Sequence, residues 1–329
     1  MSSLAATVPW ALVIHGGAGV ISREILRPEQ EAAYRAGVAQ AAAAGAAVLS
    51  SGGRAVDAVE AAVRVLEDDP LFNAGRGAVF TAEGRIELDA AIMDGSNLDA
   101  GAVAGVTLPR HPVSLARAVM ERSPHVMLTG AGADAFARAE ALELAPPGWL
   151  ATRRRWRALE ETLARRGLPV PPRPEGLERP DPAEGLAHDE GKRGTVGAVA
   201  CDAFGHVAAA TSTGGVTGKR WGRAGDSPLI GAGTYASDAA CAVSCTGAGE
   251  YFIRLTAARS IAALVELKGM DVQAAADQVV HGDLTRLGGD GGVIVVTSRG
   301  DMAWSFNTEG MYRARIAAGR PLEIGLYGD

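Results

Sequence analysis

The stretch Gly194-Thr-Val-Gly-Ala-Val-Ala-Cys-Asp202 decides how this chain is organised, because a strand begins there directly after a segment unsuited to packing. Its small apolar residues predict a buried strand that forms a hairpin with residues 206–212. The preceding residues 168–192 are proline-rich, charged and poor in large apolar side chains. Such a segment cannot bury enough surface to offset its ordering entropy. We therefore predict a mobile linker over about 168–192 that meets a core strand at the Gly194–Thr195 bond.

Helices and strands are predicted on both sides of this junction. Before it, the pattern predicts strands at 10–15 and within 77–107, and helices at 29–51, 54–67, 113–121, 131–142 and 153–167. After the hairpin, it predicts a strand at 240–245, helices at 250–268 and 271–281, and two final strands at 292–297 and 301–306. The chain is therefore expected to be a mixed α/β protein.

Composition narrows the classes of function. The 329 residues carry a formal net charge of −6, whereas nucleic-acid-binding proteins usually carry a basic excess. No segment is long enough to span a bilayer, and the apolar run at 4–14 lacks the basic start of a signal peptide. A cytoplasmic protein with neither nucleic-acid nor membrane partners is expected. Cys201, Cys241 and Cys245 lack the further ligands of a zinc site and are expected to be reduced and buried.

Common catalytic motifs are missing from the sequence. There is no G-x-S-x-G elbow, no H-E-x-x-H and no phosphate-binding G-x-x-x-x-G-K-[ST] loop. His15 ends a predicted strand and is interpreted as a hydrogen-bonded structural residue rather than a base. The glycine groups at 16–19 and 130–132 resemble nucleotide loops only loosely. They leave open a second hypothesis, in which the chain is not an enzyme but a protein that binds small molecules through glycine loops.

Thr195 would become a nucleophile if the peptide bond before it were cut. A hydroxyl needs an adjacent base, and an N-terminal threonine carries one in its α-amine, with a reference pKa of about 7.7–8.0. Gly194 lacks a Cβ, so it tolerates a strained backbone that exposes its carbonyl to the Thr195 hydroxyl. An N→O acyl shift followed by ester hydrolysis would free the amine. The residues alone leave another interpretation open, in which Thr195 is simply a β-branched residue that opens a strand.

The chain resembles the plant-type L-asparaginase/isoaspartyl peptidase family of N-terminal nucleophile hydrolases. The motifs follow the family's order over nearly the whole chain. They are Val13-Ile-His-Gly-Gly-Ala-Gly19, Leu71-Phe-Asn-Ala-Gly75, Asp94-Gly95, Gly194-Thr-Val-Gly-Ala-Val-Ala200, Ala210-Thr-Ser-Thr-Gly-Gly215, Gly222-Arg-Ala-Gly-Asp-Ser-Pro228, Ser244-Cys-Thr-Gly-Ala-Gly-Glu250 and Gly288-Gly-Asp-Gly-Gly292. This ordered set is far more specific than any single motif within it.

The resemblance implies a catalytic set built around Thr195. Thr195 matches the family's nucleophile, and the Gly194–Thr195 bond matches the site of self-cleavage. Thr213 matches the threonine that hydrogen-bonds the nucleophile. Thr246 and Gly247 match the pair that stabilises the oxyanion, one through its hydroxyl and one through its backbone N–H.

The resemblance also implies how a substrate is held. Arg223 and Asp226 match the residues that bind the substrate's α-carboxylate and α-amine. A guanidinium fork suits a carboxylate, and an aspartate suits an ammonium group. The implied activity is hydrolysis of β-aspartyl (isoaspartyl) dipeptides and of L-asparagine, so the expected partner is a small-molecule substrate.

The implied fold is a four-layer αββα sandwich of the N-terminal nucleophile type. Residues 1–194 and 195–329 would form two subunits that share one core, and two cleaved protomers would associate as an (αβ)₂ dimer. No catalytic cofactor is implied. The loop 66–76 resembles the family's structural sodium loop, whose backbone carbonyls would belong to Leu66, Glu67, Asp69, Phe72, Ala74 and Arg76.

Glycosylasparaginase is the alternative within the same chemistry, with the same nucleophile and a sugar-bearing leaving group. The context Gly194-Thr-Val-Gly197 favours the peptidase, since the sugar enzymes resemble His-Asp-Thr-Ile-Gly at this point. The expected lack of a signal peptide favours it too.

Overall fold

The computed structural model of the chain describes residues 8–174, 177, 183–186 and 194–328. Much of the predicted linker at 168–192 lies outside these residues, so its mobility stays a prediction. Two residues within the linker that are described, Leu177 and Ala183, are buried. The described residues form two β-sheets with helices packed against them, which confirms the mixed α/β class.

The elements follow one another as a mixed series of strands and helices. The helices are α1 (Pro28–Ser50), α2 (Ala55–Asp68), α3 (Pro112–Arg122), α4 (Gly130–Ala139), α5 (Arg153–Arg165), α6 (Gly249–Leu255), α7 (Ala257–Lys268), α8 (Val272–Asp277) and α9 (Thr285–Leu287). The strands are β1 (Ala11–Gly19), β2 (Leu88–Asp94), β3 (Ala100–Val106), β4 (Met127–Thr129), β5 (Val196–Cys201), β6 (Val207–Thr213), β7 (Thr234–Ala236), β8 (Cys241–Gly247), β9 (Gly291–Thr297), β10 (Met302–Phe306), β11 (Gly310–Ala317) and β12 (Glu323–Tyr327).

The larger sheet has the order β12-β11-β1-β5-β6-β2-β3-β4 and places the predicted hairpin near its middle. β5 and β6 pair antiparallel, with Val196 opposite Ser212. This register brings the start of β5 beside the end of β6. Helices α1, α2 and α3 cover one face of the sheet with apolar side chains. The helix predicted over 54–67 is confirmed as α2, and its Val56, Val59, Val63 and Leu66 all lie buried in this core.

The smaller sheet has the order β10-β9-β8-β7 and faces the larger one. An apolar cluster joins the two sheets, with Val13 and Val199 on one side and Ile294 and Val296 on the other. A second cluster joins β8 and β9 to α6, α7 and α8 on the opposite face. The inner face of β8 is therefore held against the strands that flank Thr195.

The C-terminal half corrects the sequence prediction. A single helix over 250–268 is wrong, because Thr256 adopts a left-handed backbone (φ 44°) that separates α6 from α7. The helix predicted to end at 281 continues through a π-helical stretch, Gln278–Leu284, into α9. The prediction that 301–306 is the final strand is also wrong, since β11 and β12 follow it and β11 pairs with β1.

The three cysteines are free and buried, as predicted. Within the described ranges, no helix is both long and apolar enough to cross a membrane.

Candidate active site

Thr195 lies immediately before β5, with only 7% of its surface exposed. Its hydroxyl donates to Thr213 Oγ1 at 3.2 Å. The Thr213 hydroxyl in turn donates to the Gly194 carbonyl at 3.2 Å and accepts from the Gly215 N–H at 3.0 Å. One threonine therefore connects the Thr195 hydroxyl to the carbonyl of the peptide bond predicted to break.

His15 holds the other side of Thr195. Its Nδ1 lies 2.9 Å from the Thr195 carbonyl oxygen, and its Nε2 lies 2.9 Å from Ser244 Oγ. Complete burial lowers the pKa of His15 to about 3, although the bond to Thr195 opposes that shift. The ring is therefore neutral at pH 7, with Nδ1–H donating to the carbonyl and Nε2 accepting from the Ser244 hydroxyl. The interpretation of His15 as a hydrogen-bonded residue is confirmed. Its contact with Thr195 was not predicted from the sequence.

Gly17 lies against the predicted cleavage site from β1. The register of β1 against β11 shifts between His15 and Gly17, and Gly17 has a φ of +113°. A methyl group at Gly17 would lie 3.0 Å from Gly194 Cα and 3.5 Å from the Thr195 nitrogen. Both the backbone angle and the close approach therefore require glycine.

β8 brings Thr246 to the same region from the smaller sheet. Ser244 contacts His15, and Thr246 shares its face of the strand because side chains alternate along β8. Thr246 is fully buried, and no hydrogen-bond partner for its hydroxyl lies within the described part of the chain. A buried unpaired hydroxyl costs about 1–3 kcal/mol, so this one points to a ligand.

Gly247 follows Thr246 with a φ of +150°. A methyl group there would overlap the Asp290 carbonyl oxygen and lie 2.6 Å from Gly291 Cα. Glycine is therefore required for β8 and β9 to approach each other at this end.

Arg223 and Asp226 lie beside the same strand end. A methyl group at Gly249 would lie 2.8 Å from Asp226 Oδ1 and 3.0 Å from Arg223 Nη2. One at Gly215 would lie 3.2 Å from Arg223 Nη1. Gly215, two residues after Thr213, and Gly249, two residues after Gly247, thus leave room beside the guanidinium and the carboxylate. The structure brings the seven residues predicted for catalysis, substrate binding and cleavage into one region: Gly194, Thr195, Thr213, Arg223, Asp226, Thr246 and Gly247.

The two charged residues differ in their surroundings. Arg223 donates bidentately to Glu250, with Nε 2.9 Å from Oε1 and Nη2 3.2 Å from Oε2. Asp226 is only 4% exposed, and its Oδ2 has no hydrogen-bond partner among the residues described. Burial raises the pKa of Asp226 to about 7, although the positive charge of Arg223 opposes this. A buried carboxyl with a free oxygen is suited to receive a cationic group.

Sequence comparison relates this chain to known proteins. The family model described as Asparaginase matches residues 8–325. The chain belongs to this asparaginase family. It is similar to the isoaspartyl peptidase of Salmonella typhimurium, with 50% identity over 97% of this chain and 98% of the relative. The isoaspartyl peptidase of Escherichia coli is 49% identical over 97% of this chain and 96% of its own. The plant-type L-asparaginase of Pyrococcus abyssi is 43% identical over 94% and 97%.

In this asparaginase-family chain, residues 66–76 comprise the last turn of α2 and the loop that folds back onto it. The Arg76 N–H donates to the Glu67 carbonyl at 2.7 Å, and the Phe72 N–H donates to the Asp69 carbonyl at 3.2 Å. Gly75 adopts a left-handed backbone (φ +47°), and a methyl group there would overlap the Glu67 carbonyl oxygen. The Pro70 and Phe72 carbonyl oxygens lie in the same way against Gly77. Backbone carbonyls are oxygen donors of the kind that hard cations prefer, so the chemistry of this segment is compatible with such a cation.

Three contributors to the site were not assigned by sequence reasoning. Asn73 is buried, and it donates to the Gly215 carbonyl and accepts from the Val79 N–H. Ser244 links His15 to Thr211 at 2.7 Å, and Glu250 holds Arg223. All three lie within the family motifs, and the alternation of Ser244 and Thr246 around Cys245 was a further signal, because small polar residues at every second position of a buried strand face one surface.

Proposed function

We propose that this protein hydrolyses β-aspartyl dipeptides and L-asparagine to aspartate, with Thr195 as a nucleophile freed by self-cleavage. The observation that carries the proposal is the chain of hydroxyls from Thr195 through Thr213 to the Gly194 carbonyl. The names of the similar proteins, isoaspartyl peptidase and plant-type L-asparaginase, support the same chemistry.

Self-cleavage would proceed through an N→O acyl shift. The Thr195 hydroxyl oxygen attacks the Gly194 carbonyl carbon while the Thr213 hydroxyl donates to the developing oxyanion. The Gly194–Thr195 C–N bond then breaks, and the hydroxyl proton ends on the released Thr195 amine. Water hydrolyses the resulting ester, which leaves a carboxylate on Gly194 and a free hydroxyl and amine on Thr195.

Amide hydrolysis would reuse the freed hydroxyl. The Thr195 α-amine takes the hydroxyl proton, and the oxygen attacks the β-carbonyl carbon of the aspartyl group. The Thr246 hydroxyl and the Gly247 N–H donate to the oxyanion, and this role accounts for a buried hydroxyl that has no partner among the described residues. The leaving amine takes the proton from the Thr195 ammonium group. Water then hydrolyses the β-aspartyl ester and regenerates Thr195.

Arg223 and Asp226 would fix the substrate during both steps. The Arg223 guanidinium forks onto the α-carboxylate with the same geometry that it uses toward Glu250 in the structure. Asp226 accepts from the α-ammonium group. A free α-amine and a free α-carboxylate on the aspartyl group are thus the recognised features.

The architecture proposed with this function is the four-layer αββα sandwich. Apolar clusters on the outer face of each sheet and between the sheets support it. Residues 1–194 and 195–329 would be the two subunits, and two cleaved protomers would form the (αβ)₂ dimer. The dimer and the cytoplasmic location stay predictions.

We also propose a structural Na⁺ in the loop 66–76, held by the backbone carbonyls of Leu66, Glu67, Asp69, Phe72, Ala74 and Arg76. The ion would supply positive charge that holds these carbonyls together and so steadies Asn73. We expect NaCl to raise the melting temperature above that in choline chloride of equal ionic strength. The gain would be about 2.7 kcal/mol at 100 times Kd. Equal melting temperatures in the two salts would contradict the site.

Thr246→Val is expected to lower kcat by about 100- to 1000-fold, since one oxyanion donor is worth about 2.7–4 kcal/mol. KM should change little, because the hydroxyl acts on charge that develops only in the transition state. Steady-state kinetics on an isoaspartyl dipeptide measures both. Ser260→Ala, which removes an outer helix hydroxyl bonded to Leu255, is the control and should retain activity. A kcat within a few-fold of wild type would remove Thr246 from the oxyanion site.

Affinity for L-aspartate, the proposed product, is expected to fall as the pH drops below 7. The Asp226 carboxyl, with its pKa raised to about 7, must be ionised to accept the ammonium group, and it becomes protonated below that pH. Each pH unit below 7 should therefore weaken competitive inhibition about tenfold. Inhibition constants between pH 5 and 8 measure this. Asp226→Asn should bind L-aspartate more weakly and lose this pH dependence. An unchanged pH dependence in that variant would mean that a group other than Asp226 titrates.

Substrate choice tests the proposed function. Purified, cleaved protein is offered isoaspartyl dipeptides, L-asparagine and N-acetylglucosaminyl-asparagine in parallel, with aspartate release as the readout. We expect turnover of the dipeptides and of L-asparagine. Turnover of the glycosylated substrate alone would establish the glycosylasparaginase alternative, and no turnover of any would favour a non-catalytic binding protein.

A further inference from the structure

Asp89 places a buried carboxyl group beside the site that no step of the proposed reaction uses. Asp89 pairs directly with Thr213 across the β2–β6 ladder. Residues directly opposite each other in an antiparallel pair project to the same face, so the Asp89 carboxyl and the Thr213 hydroxyl are neighbours on one face of the sheet. Asp89 is fully buried, and its Oδ1 accepts from the Gly105 N–H at 2.8 Å. Its Oδ2 has no hydrogen-bond partner within the described part of the chain.

Lys219 supplies a buried positive charge close to Asp89. It is 4% exposed, and its Nζ donates to the Glu87 carbonyl at 2.8 Å. Burial lowers the pKa of Lys219, and the negative charge of Asp89 opposes that shift. Burial likewise raises the pKa of Asp89, and the positive charges of Lys219 and Arg223 are among the influences that oppose it. Removing either residue of the pair would leave the other as an uncompensated buried charge.

Lys219 and Arg223 meet at Gly215, two residues after Thr213. A methyl group at Gly215 would lie 3.2 Å from Arg223 Nη1 and 3.3 Å from Lys219 Nζ. Gly215 also has a φ of +79°, so both the backbone and the close approach require glycine. Two cationic groups against one glycine repel each other. Asp89 interacts with both of them, so its negative charge offsets this repulsion.

The two ends of the Arg223 guanidinium have different surroundings. Nε and Nη2 donate to Glu250, whereas Nη1 lies against Gly215 on the side of Lys219. A substrate α-carboxylate would take the edge that Glu250 holds in the structure. The groups at the Nη1 end would then have to keep the guanidinium in place while its other edge changes partner.

We propose that Asp89 and Lys219 are positioning residues for the substrate's α-carboxylate. The Asp89 carboxylate holds the Nη1 end of Arg223 by charge attraction, and Lys219 keeps Asp89 ionised in its buried place. Neither residue touches the substrate, since both act through Arg223. This role rests on the proposed function, in which Arg223 binds the α-carboxylate.

Steady-state kinetics on an isoaspartyl dipeptide tests the pair. Asp89→Asn keeps the size of the side chain and an acceptor for the Gly105 N–H but removes the charge. KM should therefore rise about tenfold while kcat changes less than about threefold. Lys219→Gln should raise KM by a similar factor. The double variant should raise KM no further than the larger single effect, because the two residues act as one unit. A rise of about a hundredfold in the double variant, the additive result, would overturn the proposal.

The pH dependence of inhibition by L-aspartate separates this role from a merely structural one. Burial is the main cause of the raised pKa of Asp226; Arg223 opposes it, and the negative charges of Glu250 and Asp89 add to it. Without the Asp89 charge that pKa should be lower. The loss of affinity on acidification should therefore begin at a lower pH in Asp89→Asn than in wild type. A site that was only loosened would bind more weakly by the same factor at every pH, and an unchanged midpoint would overturn the proposal.

Asp202→Asn is the matched control, because Asp202 is also a buried aspartate that accepts backbone N–H groups, from Ala55 and Phe204, at the far end of β5. It should keep the wild-type KM and the wild-type midpoint. Circular dichroism shows whether each variant is folded. If Asp89→Asn does not fold, Lys219→Gln decides, and an unchanged KM in that variant would overturn the proposal.

The wild-type protein distinguishes the two ways of failing. No turnover of the dipeptide by wild type would reject the proposed function itself. Turnover by wild type with an equal KM in Asp89→Asn would overturn only the positioning role. Self-cleavage should continue in Asp89→Asn, because none of the hydrogen bonds between Thr195, Thr213 and Gly194 involves the Asp89 side chain.

Discussion

Thr195→Ala is expected to remain a single chain of 33.7 kDa with no amidase activity, whereas we expect the wild-type protein to separate into fragments of 194 and 135 residues. The variant lacks the hydroxyl that attacks the Gly194 carbonyl, so the acyl shift cannot begin. It also lacks the hydroxyl that would attack the substrate. Neither self-cleavage nor amidase activity should be detectable, because removing an activated nucleophile typically lowers the rate by several orders of magnitude. Denaturing electrophoresis and aspartate release measure them.

Two further variants make this result specific. Thr195→Ser keeps a hydroxyl and should still cleave itself, which shows that the hydroxyl rather than the side-chain volume matters. Thr217→Ala removes a half-buried hydroxyl from the glycine-rich loop after β6 and should cleave like wild type. Cleavage of the Thr195→Ala chain at the Gly194 bond would contradict the self-cleavage mechanism.

Arg223→Ala is expected to lower kcat/KM for isoaspartyl dipeptides by about 2–5 kcal/mol, or roughly 30- to several-thousand-fold. The variant loses a bidentate, charge-assisted contact to the α-carboxylate. Most of the loss should appear in KM, because the carboxylate is held in both the ground state and the transition state. Self-cleavage should continue, since none of the hydrogen bonds between Thr195, Thr213 and Gly194 involves Arg223.

Arg220→Ala is the matched control, because Arg220 lies in the same turn but stacks on Trp221, 4.6 Å from the ring centre. It should keep kcat/KM within a few-fold of wild type. Glu250→Gln frees Arg223 from its carboxylate partner and should leave KM equal or lower. If Arg223→Ala retained wild-type KM, the α-carboxylate would have to bind elsewhere.

Local sequence signals predicted the hairpin that carries the centre of the site, and the family resemblance assigned roles to Thr195 and Thr213. The hairpin of β5 and β6 follows from two adjacent runs of small apolar residues, and its register alone places Thr195 near Thr213. The family motifs then named Thr246, Arg223 and Asp226 without reference to packing. Their positions agree with those expectations, whereas their chemical roles stay predictions that the variants above test.

Features that depend on contacts between distant elements could not be predicted. His15 reaches Thr195 and Ser244 across 180 and 229 residues of sequence. The pairing of β1 with β5 brings it to Thr195, and the packing of the two sheets brings it to Ser244. β11 was missed because Arg313 and Arg315 occupy alternate positions where a buried strand usually shows apolar residues. Both arginines are accommodated by aromatic rings of β10, which no local pattern reveals.

Trapping the reaction intermediate tests the central claim most directly. Purified protein is mixed with an isoaspartyl dipeptide and quenched in acid, and the fragments are sequenced and mapped by mass spectrometry. The account predicts a fragment that begins Thr-Val-Gly and carries a β-aspartyl ester on its first residue, Thr195. Full activity from an uncut chain, or an ester on any other residue, would contradict it.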